Sequence, residues 1–291
     1  MGRIRILAII GVGLIMVAGA QPVITAQSGS DLTLPAARQE VRYLGQIPPG
    51  EQAELFAPDV LIHEAHDAPH VSQDERWLLF SGMGTGITFY RLVDGRLAET
   101  PNPLGFEIPE VCNGIVISIS EDRVYIREWK DGGEYLYYID KTEEGWTPPK
   151  YLNLEDFNAT WQFSVAANEN IYYSAGKIMV SRYDSGAYTA AQPLKLEDDT
   201  ELRGADPYIS PNEDYLLCSI NGNLHISYRL GSGKWSRPVN LGPNINSDQL
   251  DICPQITPNG KYLLFNSRRN GPDWVVFWVR ADFIEELRPV D

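Results

Sequence analysis

The chain has 291 residues, 43% of them apolar and 11% aromatic, enough for one large domain or two small ones and unlike a disordered or fibrous sequence. Thirty-nine Asp and Glu stand against 24 Lys and Arg, a formal net charge of −15. A surface so acidic repels phosphate backbones and anionic headgroups, which excludes nucleic acid as a partner and membrane insertion of the mature chain.

Arg3 and Arg5 precede an apolar stretch from Ile6 to Ala20 that closes with Ala18-x-Ala20, followed by Thr25-Ala26-Gln27. Charge, length and small closing residues are those of a secretory signal peptide over residues 1–27. The stretch is interrupted by glycine and shorter than the roughly 20 residues that span a bilayer, which argues against a retained anchor. No cysteine follows it to carry a lipid, so the expected location is periplasmic or extracellular. Residues 1–27 carry two arginines and no acid, so their removal takes the net charge to −17. Residues 28–52, rich in Pro, Gly, Gln and Ser, read as a linker, and 53–291 as one domain.

That domain is repetitive. "PHVSQDERWLLF" (69–80) aligns without a gap to "PYISPNEDYLLC" (207–218) and to "PQITPNGKYLLF" (254–265). The shared pattern is proline, any residue, an aliphatic, Ser or Thr, a polar turn, then an aromatic and two leucines. It describes the end of one strand, a tight turn and a buried second strand. Two degenerate copies fall between, "ISISEDRVYI" (117–126) and "QFSVAANENIYYS" (162–174). With the hydroxyl residue as marker, the copies sit at Ser72, Ser120, Ser164, Ser210 and Thr257, at intervals of 48, 44, 46 and 47. Five units of this period, about four strands each, predict an all-β fold, a β-propeller of five blades of four antiparallel strands.

After each buried strand comes a third, for example "GITFYRLV" or "WVVFWVR", and then an outer segment with an apolar residue, prolines and a closing leucine. Only four outer segments follow the repeats. The fifth is expected at "FAPDVLI" (56–62), ahead of the first repeat, so that an N-terminal strand completes the last blade and removes the free edge. Cys112, Cys218 and Cys253 are odd in number and lack metal-type spacing; their strand-like surroundings favour buried small hydrophobes over one disulfide and a leftover thiol.

At "SPNEDYLL" and "TPNGKYLLF" the sequence resembles the WD40-like PD40 repeat, as in the TolB-like propeller of the Tol system and the propellers of prolyl oligopeptidase relatives. The lead-in "YLGQIPPGEQAELFAP" and the ending "FWVRADFIEELRP" are similar to secreted bacterial PD40 proteins. The resemblance implies an exported propeller over nearly the whole mature chain. It says little about activity, because propellers serve as scaffolds and as enzymes alike.

"HEAHDAPH" (63–70) collects three of the four histidines, but the H-E-x-x-H metal pattern would need a histidine where Asp67 stands. His63 and His70 are expected to carry no chemistry. The loops that lead into the inner strands should gather at one mouth of the channel. They bring His66, Asp67, Glu110, Trp161, Gln162, Asp206 and Asp251, with Arg268 on a nearby hairpin as a group able to grip a carboxylate. The leading expectation is a monomeric, non-catalytic module that binds a protein or carbohydrate ligand there without a cofactor. The alternative is a carbohydrate-active hydrolase or lyase using Asp67, Glu110, Asp206 and Asp251 as acid and base, or the same carboxylates holding Ca2+. No G-x-S-x-G elbow or sialidase box is present.

Overall fold

The computed structural model describes residues 42–61, 64–65, 67–82, 86–109, 112–154, 157 and 162–290. Residues 1–41, where the sequence reading expects a signal peptide and the first part of a linker, lie outside the described residues. Among the described residues there are twenty-three strands, and all but one two-stranded hairpin belong to five antiparallel blades around a central axis. Blade 1 is β2 (His70–Val71), β3 (Trp77–Gly82), β4 (Gly86–Val93) and β5 (Arg96–Thr100). Blade 2 is β6 (Cys112–Ile117), β7 (Arg123–Lys130), β8 (Gly133–Thr142) and β10 (Lys150–Leu152), with the short β9 (Gly145–Trp146) beside β8. Blade 3 is β11 (Ser164–Val165), β12 (Ile171–Ser174), β13 (Ile178–Ser181) and β16 (Gln192–Pro193), and a side hairpin of β14 (Tyr183–Asp184) and β15 (Ala187–Tyr188) precedes β16. Blade 4 is β17 (Ala205–Ile209), β18 (Tyr215–Ile220), β19 (Asn223–Tyr228) and β20 (Val239–Asn240). Blade 5 is β21 (Asp251–Ile256), β22 (Tyr262–Ser267) and β23 (Val275–Arg280), completed by the N-terminal β1 (Glu54–Leu55).

The five-blade count and the N-terminal closure agree with the sequence reading, but the closing strand is Glu54–Leu55 rather than 56–62. Glu54 pairs with Trp278 and Leu55 with Phe277; Ala57 then enters the left-handed region at φ 46° and the chain turns away. Only Phe56, whose N–H donates to the Val276 carbonyl at 2.9 Å, continues the seam. Residues 42–52, assigned to the linker by composition, pack on blade 5 instead. Tyr43 and Leu44 are buried, the Tyr43 ring centroid lies 4.8 Å from that of Tyr262, and Gly50 accepts a hydrogen bond from Arg280 N–H.

The repeated phrase is a hydroxyl-locked turn. Ser210 Oγ accepts the N–H groups of Asp214 at 2.9 Å and Tyr215 at 3.1 Å and donates to the Asp214 carboxylate at 2.6 Å. Ser72 and Thr257 serve the same turns in blades 1 and 5. Backbone bonding corrects the marker by two residues in the degenerate blades. The bond from Ser210 N to Tyr215 O has its counterparts at Ser118 and Ala166, not at Ser120 and Ser164. Ser118 keeps the hydroxyl lock, accepting Arg123 N–H at 3.1 Å, whereas Ala166 has none and Asn168 caps Asn170 N–H instead.

Apolar burial is divided among five clusters, one at each seam between neighbouring blades. The residue just before each hydroxyl position supplies one member to each: Val71, Ile117, Val165, Ile209 and Ile256. Burial on both faces explains why the second strands, such as Trp77–Gly82, Tyr215–Ile220 and Tyr262–Ser267, read as apolar runs rather than alternating ones. The short helix Phe283–Glu286 buries Phe283 and Ile284 against the seam of blades 4 and 5.

Candidate functional site

The same five aliphatic residues form a girdle around a cavity of about 140 Å³ on the propeller axis, lined by the inner strands of all five blades. Chemistry differs at its two ends. At the turn end it reaches the exposed residues Gln73, Pro211 and Gly260. At the other end, where the inner strands begin, it meets Asp67, Gly114, Arg127 and Gln162.

Four positions before each hydroxyl position stand Ala68, Gly114, Gln162, Asp206 and Cys253, a ring with a different residue in every blade. Register breaks mark this level, between Cys112 and Gly114, Ala205 and Tyr208, and Ile252 and Gln255. Asp206 and Cys253 are both left-handed there, at φ 51° and 53°. Such bulges redirect side chains at the ends of strands. Gln162 Nε2 donates to the Pro254 carbonyl at 2.9 Å, a bond from blade 3 to blade 5 across the axis.

Arg127, on β7 and only 1% exposed, reaches this level with its Nη2 3.5 Å from Asp67 Oδ2. Gly114 makes room for the pair: a Cβ there would lie 3.1 Å from both atoms. A buried guanidinium keeps its charge, so a nearby carboxylate offsets desolvation that would otherwise be severe. The Cys253 thiol is pushed well above its usual pKa, first by burial, then by Asp206 and Asp67, with Arg127 opposing. Burial likewise raises Cys112 to about 11 and, helped by Asp206, Cys218 to about 12. All three are free thiols, and none has the depressed pKa of a nucleophile.

The structure brings Asp67 and Gln162 to the cavity, with Asp206 buried at the same level. His66, Glu110 and Trp161, like His63, lie outside the described residues. Asp251 points elsewhere: fully buried, it pairs with Arg269 Nη2 at 2.7 Å and accepts from Ser247 N–H at 2.6 Å and Ser247 Oγ at 2.9 Å. Arg268 stacks over Trp274, its Cζ 4.3 Å from the ring centroid, and reaches Glu64 at 3.8 Å. Among the described residues no group of three or more His, Cys, Asp or Glu is arranged to hold a metal ion.

Two residues passed over in the sequence belong to this site. His70 lines the cavity wall beside Trp77, with Nε2 buried and without a hydrogen-bond partner, and burial lowers its pKa to about 4. Arg127 sits in "RVYIREWK", where it reads as an exposed strand residue. The available signal was its place two residues after Tyr125 and therefore on the same face of the strand as that buried ring.

In fold, the protein is a five-bladed β-propeller. No family model matches the chain, and no curated protein sequence matches it. Among solved structures it is similar to TolB from Acinetobacter baumannii, at 14% identity and a TM-score of 0.47, over 74% of this chain and 56% of that one. It is also similar to a gluconolactonase from Xanthomonas campestris, at 12% identity and a TM-score of 0.45, over 72% and 70% of the two chains. A GH43 glycoside hydrolase engineered for endo-xylanase and exo-arabinofuranosidase activity gives 11% identity and a TM-score of 0.49, over 79% and 52%. This chain thus spans little more than half the length of the TolB and GH43 chains. These likenesses concern architecture alone and assign no activity.

Proposed function

We propose that the protein is an exported, non-catalytic binding module that holds a small molecule inside its central channel. The observation that carries this reading is the cavity: an aliphatic girdle from five blades, with Arg127, Asp67 and Gln162 grouped at one end. Ligand pockets combine an apolar wall with a few convergent polar groups in this way. A cavity of this volume accepts a molecule about the size of benzene. The fitting class is therefore a compact molecule with an apolar body and one hydrogen-bonding end. Support for binding over glycoside hydrolysis comes from the carboxylates. Hydrolysis needs two of them facing each other over an open pocket, whereas Asp251 is tied to Arg269 and Asp67 faces Arg127.

The test is a thermal-shift and calorimetric screen with benzene, phenol and short aliphatic alcohols and amides, on the natural chain and on Ile117→Trp, which fills the girdle. Saturable binding that disappears in Ile117→Trp is expected. Absence of binding by every probe, or binding that survives the filled girdle, would overturn the proposal.

A further inference from the structure

The turns on the face opposite Asp67 and Arg127 share an unusual residue. Three positions after each hydroxyl position stand Glu75, Glu121, Glu169 and Glu213, all left-handed, with φ of 57°, 56°, 67° and 59°. The fifth is Gly260, at φ 72°. A left-handed backbone disfavours glutamate, and each of the four reaches back to the preceding blade. Glu75 accepts Asn259 N–H at 3.1 Å, and Glu121 accepts Gln73 N–H at 2.9 Å. Glu169 bonds the Tyr125 hydroxyl, and Glu213 accepts Asn170 Nδ2 at 2.7 Å and the Tyr172 hydroxyl at 2.6 Å. Four of the five seams are thus latched at this rim by a carboxylate.

The seam between blades 4 and 5 lacks the glutamate latch; it is tied instead by the C-terminal segment, where Arg288 Nη2 pairs with Asp214 at 3.2 Å and the Tyr228 hydroxyl donates to the Ile284 carbonyl at 2.7 Å. Gly260 has no side chain to offer, and a Cβ built on it would meet nothing within 4 Å. Pro211 occupies the place from which Gln73 donates its N–H to Glu121, as Pro258 does in blade 5, where the latch to Glu75 uses the next N–H, that of Asn259; the missing latch is therefore due to Gly260. Gly260 and Pro211 both line the channel cavity, together with Tyr215 and Pro258; none of the four glutamates does. At the far end the Gln162 bond to Pro254 crosses the axis.

We infer that the channel is reached from the turn face, through a notch at the rim of the blade 4 and blade 5 seam, with Gly260 as the residue that keeps it open. This rests on the channel being the ligand site, and it adds the route and the dimension that selects the ligand. The admitted molecule passes two prolines and a tyrosine, so it is slender and apolar along its leading edge. The polar end of the cavity, where the Gln162 bond to Pro254 crosses the axis, is then the far end of the path.

Access can be read without any ligand. Val165→Cys places a thiol in the girdle, in a Cys112→Ser background that removes the one partly exposed native cysteine. N-ethylmaleimide labelling is followed by mass spectrometry in this chain and after adding Gly260→Glu, Gly260→Asn, Pro211→Trp or Gln162→Ala. The glutamate is the residue four sister turns already tolerate, the asparagine controls for the left-handed backbone, and Pro211→Trp blocks the same notch from an exposed position. The expected result is labelling slowed at least tenfold by Gly260→Glu and by Pro211→Trp, with less than a twofold change for Gly260→Asn and Gln162→Ala. No labelling of Val165→Cys, unchanged rates in both blocked variants, or a tenfold gain in Gln162→Ala would overturn the route. Labelling that behaves as expected while no small molecule binds would instead sink the proposed function and leave the route standing.

Discussion

Replacing His70 with glutamine, the residue that blade 5 carries at the equivalent position 255, should change how the protein tolerates acid. Burial lowers the His70 pKa from 6.5 to about 4, a difference worth about 3 kcal/mol at the usual conversion. The folded pKa lies below the unfolded one, so the unfolded chain binds more protons between them. The contribution of neutral His70 is therefore complete above pH 6.5 and is lost as pH falls toward 4. The loss should reach about 1 kcal/mol at pH 5.5 and approach 3 kcal/mol near pH 4. Urea unfolding of the natural chain and of His70→Gln, at pH 7.5, 5.5 and 4.5, isolates this histidine, because every other titrating group is common to both. The stability difference should swing in favour of His70→Gln as the solution is acidified. A difference that stays flat from pH 7.5 to 4.5 would refute the burial argument.

Asp251→Ala leaves the partly buried Arg269 without its carboxylate and should cost about 3 kcal/mol in chemical unfolding; a loss below 1 kcal/mol would show that the pair is dispensable. Glu213→Ala strands Asn170, Tyr172 and Arg229 and should cost about 2 to 4 kcal/mol, against under 1 kcal/mol for the more exposed single bond of Glu121→Ala. Equal losses in the two variants would contradict the reading of Glu213 as a multiple acceptor. Native protein at pH 8 should expose at most Cys112 to a thiol reagent, slowly, with Cys218 and Cys253 reacting only in denaturant. Reaction of either buried thiol at the rate of Cys112 would be inconsistent with their burial.

Blade number and closure were readable because the phrase around Ser72, Ser210 and Thr257 encodes a complete local device, a hydroxyl that captures two backbone N–H groups (one at Thr257) ahead of a buried aromatic strand. The register slipped in blade 2 because Ser118 and Ser120 are both hydroxyl residues two apart. It slipped in blade 3 because Ala166 carries no hydroxyl and Ser164, on the inner strand, does. Composition also misplaced Tyr43 and Leu44: a segment rich in Pro and Gly reads as solvated, yet two apolar side chains were enough to dock it on blade 5. Asp251 looked like a site residue because its ion-pair partner Arg269 lies 18 residues away on the next strand's hairpin and only the fold joins them. Arg127 was hidden for the converse reason, since what turns it toward the axis is the missing side chain of Gly114 on the adjacent strand.

The left-handed glutamates show most directly why tertiary partners defeat local reading. Turn chemistry alone places Gly, Asn or Asp at these positions, and a glutamate there costs on the order of 1 kcal/mol in backbone energy. Each of the four recovers that cost only across a seam, through a donor on the preceding blade, so no window of sequence shorter than a blade can reveal the reason for it. Gly260 relieves the backbone strain and forfeits the bond. One joint that differs from the other four gives the ring a distinct side, and it is there that Gly260 and Pro211 meet the cavity. The difference is Gly260 itself, since Pro258 holds in blade 5 the place of Pro211 in blade 4 and the seam beyond it is still latched through Asn259 N–H. Restoring the carboxylate, as in Gly260→Glu, asks whether side-chain bulk at this one turn is enough to close the seam.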